Sequence, residues 1–129
     1  METVNKKSDS RWIKMMQFGT RMGCHQMSDR SFFIHGYQFP VCARCTGVII
    51  GEILALIAFL FPFDIPFVYS LMLLIPMGID WGLQYLKICM SDNIRRLLTG
   101  ILGGFALTNI YWEIILFVYQ LIVKLVANI

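Results

Sequence analysis

Three long apolar stretches dominate the pattern of polar and apolar positions along the chain. They cover residues 46–63, 66–86 and 97–123. One acidic residue interrupts each stretch, and in chain order these are Glu52, Asp80 and Glu113. A helix that crosses a bilayer needs about 20 mainly apolar residues, and no stretch alternates its faces as a soluble amphipathic helix does. The pattern predicts an all-α integral membrane protein, a bundle of three spanning helices.

The composition agrees with a membrane protein. Hydrophobic residues make up 57% of the 129 positions and charged residues 15%, whereas charged residues are about 25% of an ordinary soluble domain. This excludes a disordered chain and argues against a soluble domain. The formal net charge of +3 is too small to indicate a nucleic-acid partner. We therefore expect the lipid bilayer as the partner, with a homodimer or a larger membrane complex left open.

The basic residues predict an orientation. All of them except Lys124 lie before the first apolar stretch or between the second and the third. Cytoplasmic loops carry the excess of Lys and Arg in membrane proteins. We expect a protein of the inner membrane whose N-terminus is cytoplasmic, with a tight outer turn at Asp64 and the C-terminus outside.

Residues 1–22 form a basic segment that precedes the membrane domain, residues 23–129. Lys7 and Arg11 share one helical face by their spacing, and Trp12 lies on another. This arrangement predicts an interfacial helix with its cations at the lipid headgroups and Trp12 at the acyl boundary. A short helix with a solvated basic face is the alternative.

A structured loop, residues 23–45, contains a Cys/His motif. Cys24 is followed directly by His25, and Cys42 and Cys45 form a Cys-x-x-Cys pair further on. Disulfides are rare on the cytoplasmic side, and a Cys-x-x-Cys turn lets two thiolates reach one ion. We predict one metal ion bound by these four side chains, zinc by ligand type, with iron and copper(I) not excluded.

Other interpretations of the cysteines remain open. Side chains of adjacent residues diverge, so if His25 points away from Cys24, Cys89 or His35 would complete the site. The thiols could instead carry redox chemistry, because a helix N-terminus lowers the pKa of a thiol. They could also be small interior hydrophobic residues.

Polar residues at the inner ends of the stretches are candidates for catalysis. Asp80 and Gln84 lie one helical turn apart on the same face, and a charged group at such depth normally faces a partner or a wet cavity. We expect Arg44 and Arg96 to hold an anionic group, Asp80 to act as a base or second metal ligand, and Gln84 to orient it. Glu52 is predicted at the same depth as Asp80.

A second set of candidates could bind an anionic substrate. Guanidinium, hydroxyl and amide donors near the start of a helix suit a phosphate or a carboxylate. The predicted donors are Arg30, Ser91, Asn93, Arg96 and Thr99. Helix capping is the alternative role of Ser91 and Asn93, and membrane anchoring that of the arginines.

Each apolar stretch also contains a Gly-x-x-x-Gly pair in its inner half. The pairs are Gly47 with Gly51, Gly78 with Gly82, and Gly100 with Gly104. Small residues at this spacing let helix backbones approach closely in lipid. We therefore predict a tight contact among all three spans near the cytoplasmic face.

These motifs resemble a family of small predicted bacterial and archaeal membrane proteins, domain of unknown function 2085. The resemblance covers roughly residues 23–104. It is carried by Cys24-His25-Gln26, Arg30-Ser31-Phe32, Gly36, Pro40-Val41-Cys42-Ala43-Arg44-Cys45-Thr46-Gly47, Asp80 with Gln84, and Ser91-x-Asn93-x-x-Arg96-x-x-Thr99-Gly100. The chain departs from the family pattern at Asp92, where the family has Asn, and at Cys89, where it has no cysteine. The resemblance implies a membrane location and supports the Cys/His site, but it implies no reaction.

Three functions are compatible with these features. The first is a membrane-embedded metalloenzyme that acts on an amphiphilic anionic substrate. The second is a non-catalytic subunit or assembly factor whose loop is stapled by zinc. The third is a Cys-x-x-Cys thiol oxidoreductase, or an ion or metal carrier.

Overall fold

The computed structural model describes residues 6–62 and 65–128, and this part of the chain is mainly helical. Its four α-helices are α1 (Lys6–Arg21), α2 (Ala43–Ala58), α3 (Phe67–Tyr85) and α4 (Asn93–Ala127). The predicted all-α class is confirmed. The predicted outer turn at Asp64 lies outside the described residues.

Two of the described helices are long and apolar enough to cross a membrane, namely α3 and α4. Helix α2 has 16 residues, which corresponds to about 24 Å, against a hydrocarbon core of about 30 Å. The predicted bundle of three spans is therefore not confirmed. The difference arises because α2 ends at Ala58, where a turn leads into Pro62, and proline commonly follows a helix end.

Helix α4 lies at the centre and packs against both α2 and α3. Its contact with α2 is so close that a Cβ on Gly51 would overlap the carbonyl oxygen of Ile101. A Cβ on Gly104 would overlap the carbonyl oxygen of Val48 in the same way. The glycine pairs of these two helices thus confirm the predicted close approach of their backbones.

The glycine pair of α3 does not take part, and the predicted three-helix contact is wrong at this point. A Cβ on Gly78 or Gly82 would meet nothing within 4 Å. Helix α3 instead packs the thioether of Met77 against Gly103 of α4. Because successive residues are about 100° apart around a helix, a face centred on Met77 leaves Gly78 and Gly82 to one side.

The loop between α1 and α2 contains a short hairpin. Strands β1 (Phe33–Ile34) and β2 (Tyr37–Gln38) pair in antiparallel fashion. The two residues between them, His35 and Gly36, have φ angles of 50° and 82°, as a two-residue hairpin turn of type I′ requires. A structured loop was predicted, but strands of two residues are too short to give a periodic signal.

Helix α1 packs against this hairpin. The indole Nε1 of Trp12 donates a hydrogen bond to the carbonyl oxygen of Gln38 at 2.8 Å. The hydroxyl of Tyr37 donates to Oδ1 of Asp9 at 2.6 Å. The rings of Trp12 and Tyr37 lie 5.9 Å apart. Trp12 was predicted at the acyl boundary, but it faces the hairpin, because its indole N–H finds an acceptor there.

Candidate metal centre

Three cysteines come together where the loop meets α2. Cys42 is the N-cap residue of α2, and Cys45 lies in its first turn. The sulfur atoms of Cys24, Cys42 and Cys45 all lie within 4.8 Å of one another, and those of Cys42 and Cys45 are 3.3 Å apart. Tetrahedral zinc with Zn–S bonds of about 2.3 Å places its sulfurs about 3.8 Å apart. The three thiols are therefore close to the spacing that one shared ion needs.

The backbone around Cys24 and Cys42 favours the negatively charged thiolate form of these cysteines. The N–H of Cys42 donates a hydrogen bond to Sγ of Cys24 at 3.1 Å, and the start of α2 adds the positive end of a helix dipole. A hydrogen bond with Cys45 lowers the pKa of Cys42 to about 5, although burial acts in the opposite direction. These contacts favour the thiolate form of Cys42, the form that binds metals.

Gln26 connects the loop to the helix before it. Its Nε2 donates to the carbonyl oxygens of Met16 and Pro40, both at 2.6 Å. Its Oε1 accepts a hydrogen bond from the hydroxyl of Thr20 at 3.0 Å. Gln26 thus fixes the segment that carries Cys24. We did not predict this role, although the Cys-His-Gln motif contains the residue.

The other predicted ligands lie outside the thiol group. His25 is exposed and is not part of the thiol group, although the residue lines the neighbouring cavity. His35 is exposed in the hairpin turn. Cys89 is exposed, with its Sγ 3.8 Å from Nη1 of Arg95. Within the described residues, neither His35 nor Cys89 completes the site.

A cavity of about 300 Å³ opens beside the cysteines. Its polar and charged lining consists of Cys24, His25, Gln26, Arg30, Cys42, Arg44, Cys45, Gln84 and Arg96. The predicted metal ligands and the predicted cations Arg30, Arg44 and Arg96 therefore share one cavity.

Three predicted anion ligands do not line this cavity. The hydroxyl of Thr99 donates to the carbonyl oxygen of Arg95 at 2.9 Å, inside α4. Asn93 accepts a hydrogen bond from Nη1 of Arg96 at 3.2 Å, so it positions this guanidinium. Ser91 is buried just before α4. The polar groups of Thr99 and Asn93 are thus used within the fold.

Asp80 forms a buried ion-pair cluster. Its side chain is 2% exposed, and Oδ2 lies 2.6 Å from Nη2 of Arg44. Oδ1 lies 2.9 Å from Nε of Arg95, a residue that we did not predict at the site. Gln84 accepts a second hydrogen bond from Nη2 of Arg44 at 3.1 Å. Asp80 is not part of the thiol group, and each of its two carboxylate oxygens forms an ion pair with a guanidinium group.

The two remaining acidic residues of the apolar stretches do not join this cluster. Glu52 is exposed on α2, so it does not share a site with Asp80. Glu113 lines a separate cavity with Trp112, towards the far end of the packed part of α4. The depth shared by Glu52 and Asp80 in the sequence therefore does not bring them together.

An apolar groove of about 580 Å³ lies between α1 and the start of α2. Its side walls include Met15, Phe18 and Ile49. Met22 and Val41 also line it. The next residues in the chain, Gly23 and Cys42, line the cavity beside the cysteines. The groove and the polar cavity are therefore neighbours along two segments of the chain.

Comparison with known proteins places the chain among membrane proteins. The family described as "Predicted membrane protein (DUF2085)" matches residues 24–110. An uncharacterized protein of Methanocaldococcus jannaschii is 41% identical over 88 residues, which are 64% of this chain and 56% of that protein. An uncharacterized protein of Methanothermobacter thermautotrophicus is 38% identical over 91 residues, which are 65% of this chain and 79% of that protein. No solved structure matches the chain.

Proposed function

We propose that this chain, which belongs to the DUF2085 family of predicted membrane proteins, is a membrane enzyme with a zinc-type centre that acts on an amphiphilic anionic substrate. The proposal rests on Cys24, Cys42 and Cys45, whose sulfurs lie within 4.8 Å of one another on the wall of a cavity. Structural zinc sites are closed by four protein ligands, whereas catalytic sites use three and keep one position open. Three thiols beside a cavity fit the catalytic arrangement.

The side chains around the thiols supply the remaining parts of such a site. An ion with an open position can polarise a substrate or activate water. Arg44 and Arg96 line the same cavity and would bind an anionic group. Asp80 orients Arg44 in this proposal and is not the base, because two guanidinium groups occupy its oxygens. Gln84 supports Arg44 from α3.

The apolar groove supports an amphiphilic substrate. Lys14 and Thr46 are the polar members of its lining, and the other residues are apolar, so the groove suits a hydrocarbon chain. A hydrocarbon chain in the groove would reach Met22 and Val41. The head group of the same molecule would then lie at the cavity, which begins at Gly23 and Cys42. The charged head and the apolar tail of one molecule would thus each have a matching surface.

We further propose that α2 crosses the membrane with α3 and α4 and that the cysteines face the cytoplasm. Helix α2 runs beside α4 in the same direction. Gly47 contacts Gly100 near one end of this contact, and Phe59 contacts Trp112 near the other. The two aromatic rings at the far end lie 5.2 Å apart. Both helices would therefore traverse the same layer, with the cationic end inside by the positive-inside rule.

Metal analysis of the detergent-purified protein tests the centre. We expect about one tightly bound ion per chain in the wild-type protein, and loss of this ion in Cys24→Ser, Cys42→Ser and Cys45→Ser. Cys89→Ser is the matched control, because Cys89 is exposed and outside the group, and it should retain the metal. A wild-type protein without metal, whose thiols oxidise reversibly, would overturn the proposal and favour a thiol oxidoreductase.

The second candidate is a non-catalytic subunit stapled by a closed site of three cysteines and one histidine. The position of His25 in the wall of the cavity favours it. Cobalt(II) substitution separates the two candidates, because its visible spectrum reports the ligand set. If the centre is open, His25→Ala leaves the spectrum unchanged and added anions shift it. If the centre is closed, His25→Ala changes the spectrum and anions have no effect.

A further inference from the structure

The cavity beside the cysteines holds an excess of positive charge. Three arginines line it, Arg30, Arg44 and Arg96, and no Asp or Glu of the described residues lines it. Arg44 is paired with Asp80 at 2.6 Å. Arg30 approaches Asp29 at 3.6 Å, and both side chains are solvent-accessible, so this pair contributes little.

Arg96 is buried without a carboxylate partner. The residue is 4% exposed, and it forms none of the ion pairs found in the described part of the chain. Its Nη1 donates to Oδ1 of Asn93, a neutral acceptor, while its Nε is buried and makes no hydrogen bond. A buried charge of this kind is costly unless a counter-charge and acceptors are present.

A metal ion alone does not supply enough counter-charge. A divalent ion with three thiolates carries one net negative charge, which balances one guanidinium group. Arg30, Arg44, Arg95 and Arg96 together carry four positive charges, whereas Asp80 supplies one negative charge and the ion with its thiolates another, so two positive charges remain in excess. Gln84 lines the same cavity, and its Nε2 is a buried donor that has no hydrogen-bond acceptor. The cavity therefore offers more donors and more positive charge than the described residues and the ion use.

We infer that the cavity binds the phosphate group of a phosphate monoester. Such a group is a dianion at neutral pH and presents three acceptor oxygens, which guanidinium groups bind in bidentate fashion. A volume of about 300 Å³ is at the lower end for ligand pockets, about 300–1,000 Å³, as a head group requires. The inference deepens the proposed function and rests on it in taking the cavity as the substrate site. Free phosphate and a lipid head group share this chemistry.

Titration calorimetry with inorganic phosphate, on the metal-loaded protein in detergent, tests the site itself. A parallel titration uses nanodiscs that contain phosphatidic acid, with diacylglycerol nanodiscs as the control. We expect binding of phosphate, and binding of phosphatidic acid that phosphate competes away. Tighter binding of phosphatidic acid identifies a lipid as the source, and equal binding identifies free phosphate. No binding of either ligand to the metal-loaded protein overturns the inference.

Charge-removing variants locate the site. We expect Arg96→Gln and Arg30→Gln each to weaken phosphate binding at least tenfold. Arg21→Gln is the matched control, because Arg21 is exposed at the end of α1 and does not line the cavity, and it should bind as the wild type does. Arg30→Gln covers the case in which removal of the buried Arg96 prevents folding. Wild-type affinity in both folded variants refutes the assignment.

Metal content in the same samples separates the two proposals. A protein with a full complement of metal that binds no phosphate contradicts the phosphate inference and leaves the metal centre intact. A metal-free protein that binds phosphate through Arg30 and Arg96 contradicts the proposed metalloenzyme and retains the anion site.

Discussion

Nη2 of Arg44 lies 2.6 Å from Oδ2 of Asp80, and this ion pair joins the first turn of α2 to the last turns of α3. Both helices otherwise pack mainly against α4. The pair therefore fixes the distance between two helices at the wall of the cavity. Arg44 also carries one of the cations of that wall, so a structural contact holds a binding group in place.

Removal of this carboxylate should destabilise the fold. Asp80 is 2% and Arg44 18% exposed, so Asp80→Asn leaves a largely buried cation without its counter-charge. Breaking a buried pair costs about 3–5 kcal/mol. Unfolding by titration with sodium dodecyl sulfate measures the loss. Arg95→Gln is the control, because the side chain of Arg95 is 44% exposed and its pair should contribute only about 0–1 kcal/mol. Equal losses in the two variants would contradict this ranking.

The glycine contact between α2 and α4 predicts a contrast between two alanine substitutions. A Cβ on Gly51 would overlap the backbone of Ile101, whereas one on Gly78 would meet nothing within 4 Å. We expect Gly51→Ala to lower the free energy of unfolding by about 1–3 kcal/mol, as overpacking does, and Gly78→Ala to leave it unchanged or raise it. A large loss in Gly78→Ala would show that another chain covers this face of α3.

Gln26 should influence metal binding without touching the metal. Gln26→Ala removes hydrogen bonds to Met16 and Pro40 and loosens the segment that carries Cys24. Loss of such a supporting contact typically lowers metal affinity about 10–100-fold, which competition with a chromophoric chelator measures. Gln17→Ala, an exposed change on α1, should have no effect. Unchanged affinity in Gln26→Ala would mean that the loop is held by other contacts.

Thiol labelling tests the number of spans. In a variant whose four cysteines are replaced by serine, a new cysteine at Asn128 should react with a membrane-impermeant maleimide from outside the cell. Three crossings by α2, α3 and α4 place the end of α4 opposite the N-terminus. If α2 does not cross, Asn128→Cys will react only in inverted vesicles. Cys89, restored as the single cysteine, lies before α4, so it should react only in inverted vesicles if three helices cross and only from outside if α2 does not cross.

The thiol group was predictable because its signal is local. Cys42 and Cys45 are three residues apart, and the turn between them follows from the start of α2. The partner at Cys24 was also predictable from residue type. The sequence could not show that His25 lies outside the thiol group while Cys24 belongs to it. The direction of a side chain in an irregular loop depends on the backbone, here on the positive φ angles at Gly23 and Gln26.

The pairing of Asp80 was only half predictable. Its depth in an apolar stretch indicated that it needs a partner, and Gln84 follows from helical spacing. The choice of Arg95 as its ion-pair partner, while Arg96 faces the cavity, depends on the rotation of α4 about its own axis. Neighbouring residues on a helix point about 100° apart, so the sequence alone gives no reason to prefer one.

The sequence by itself determined the apolar environment of the helices, the all-α class and the residue types of the thiol group, because hydropathy and local spacing need no distant contact. The tertiary structure alone decided that Gly47 and Gly51 meet α4 while Gly78 and Gly82 do not, and that Arg96 is buried without a carboxylate. Both outcomes depend on which face each helix turns towards its neighbours, and that choice is made by the packing of the whole chain.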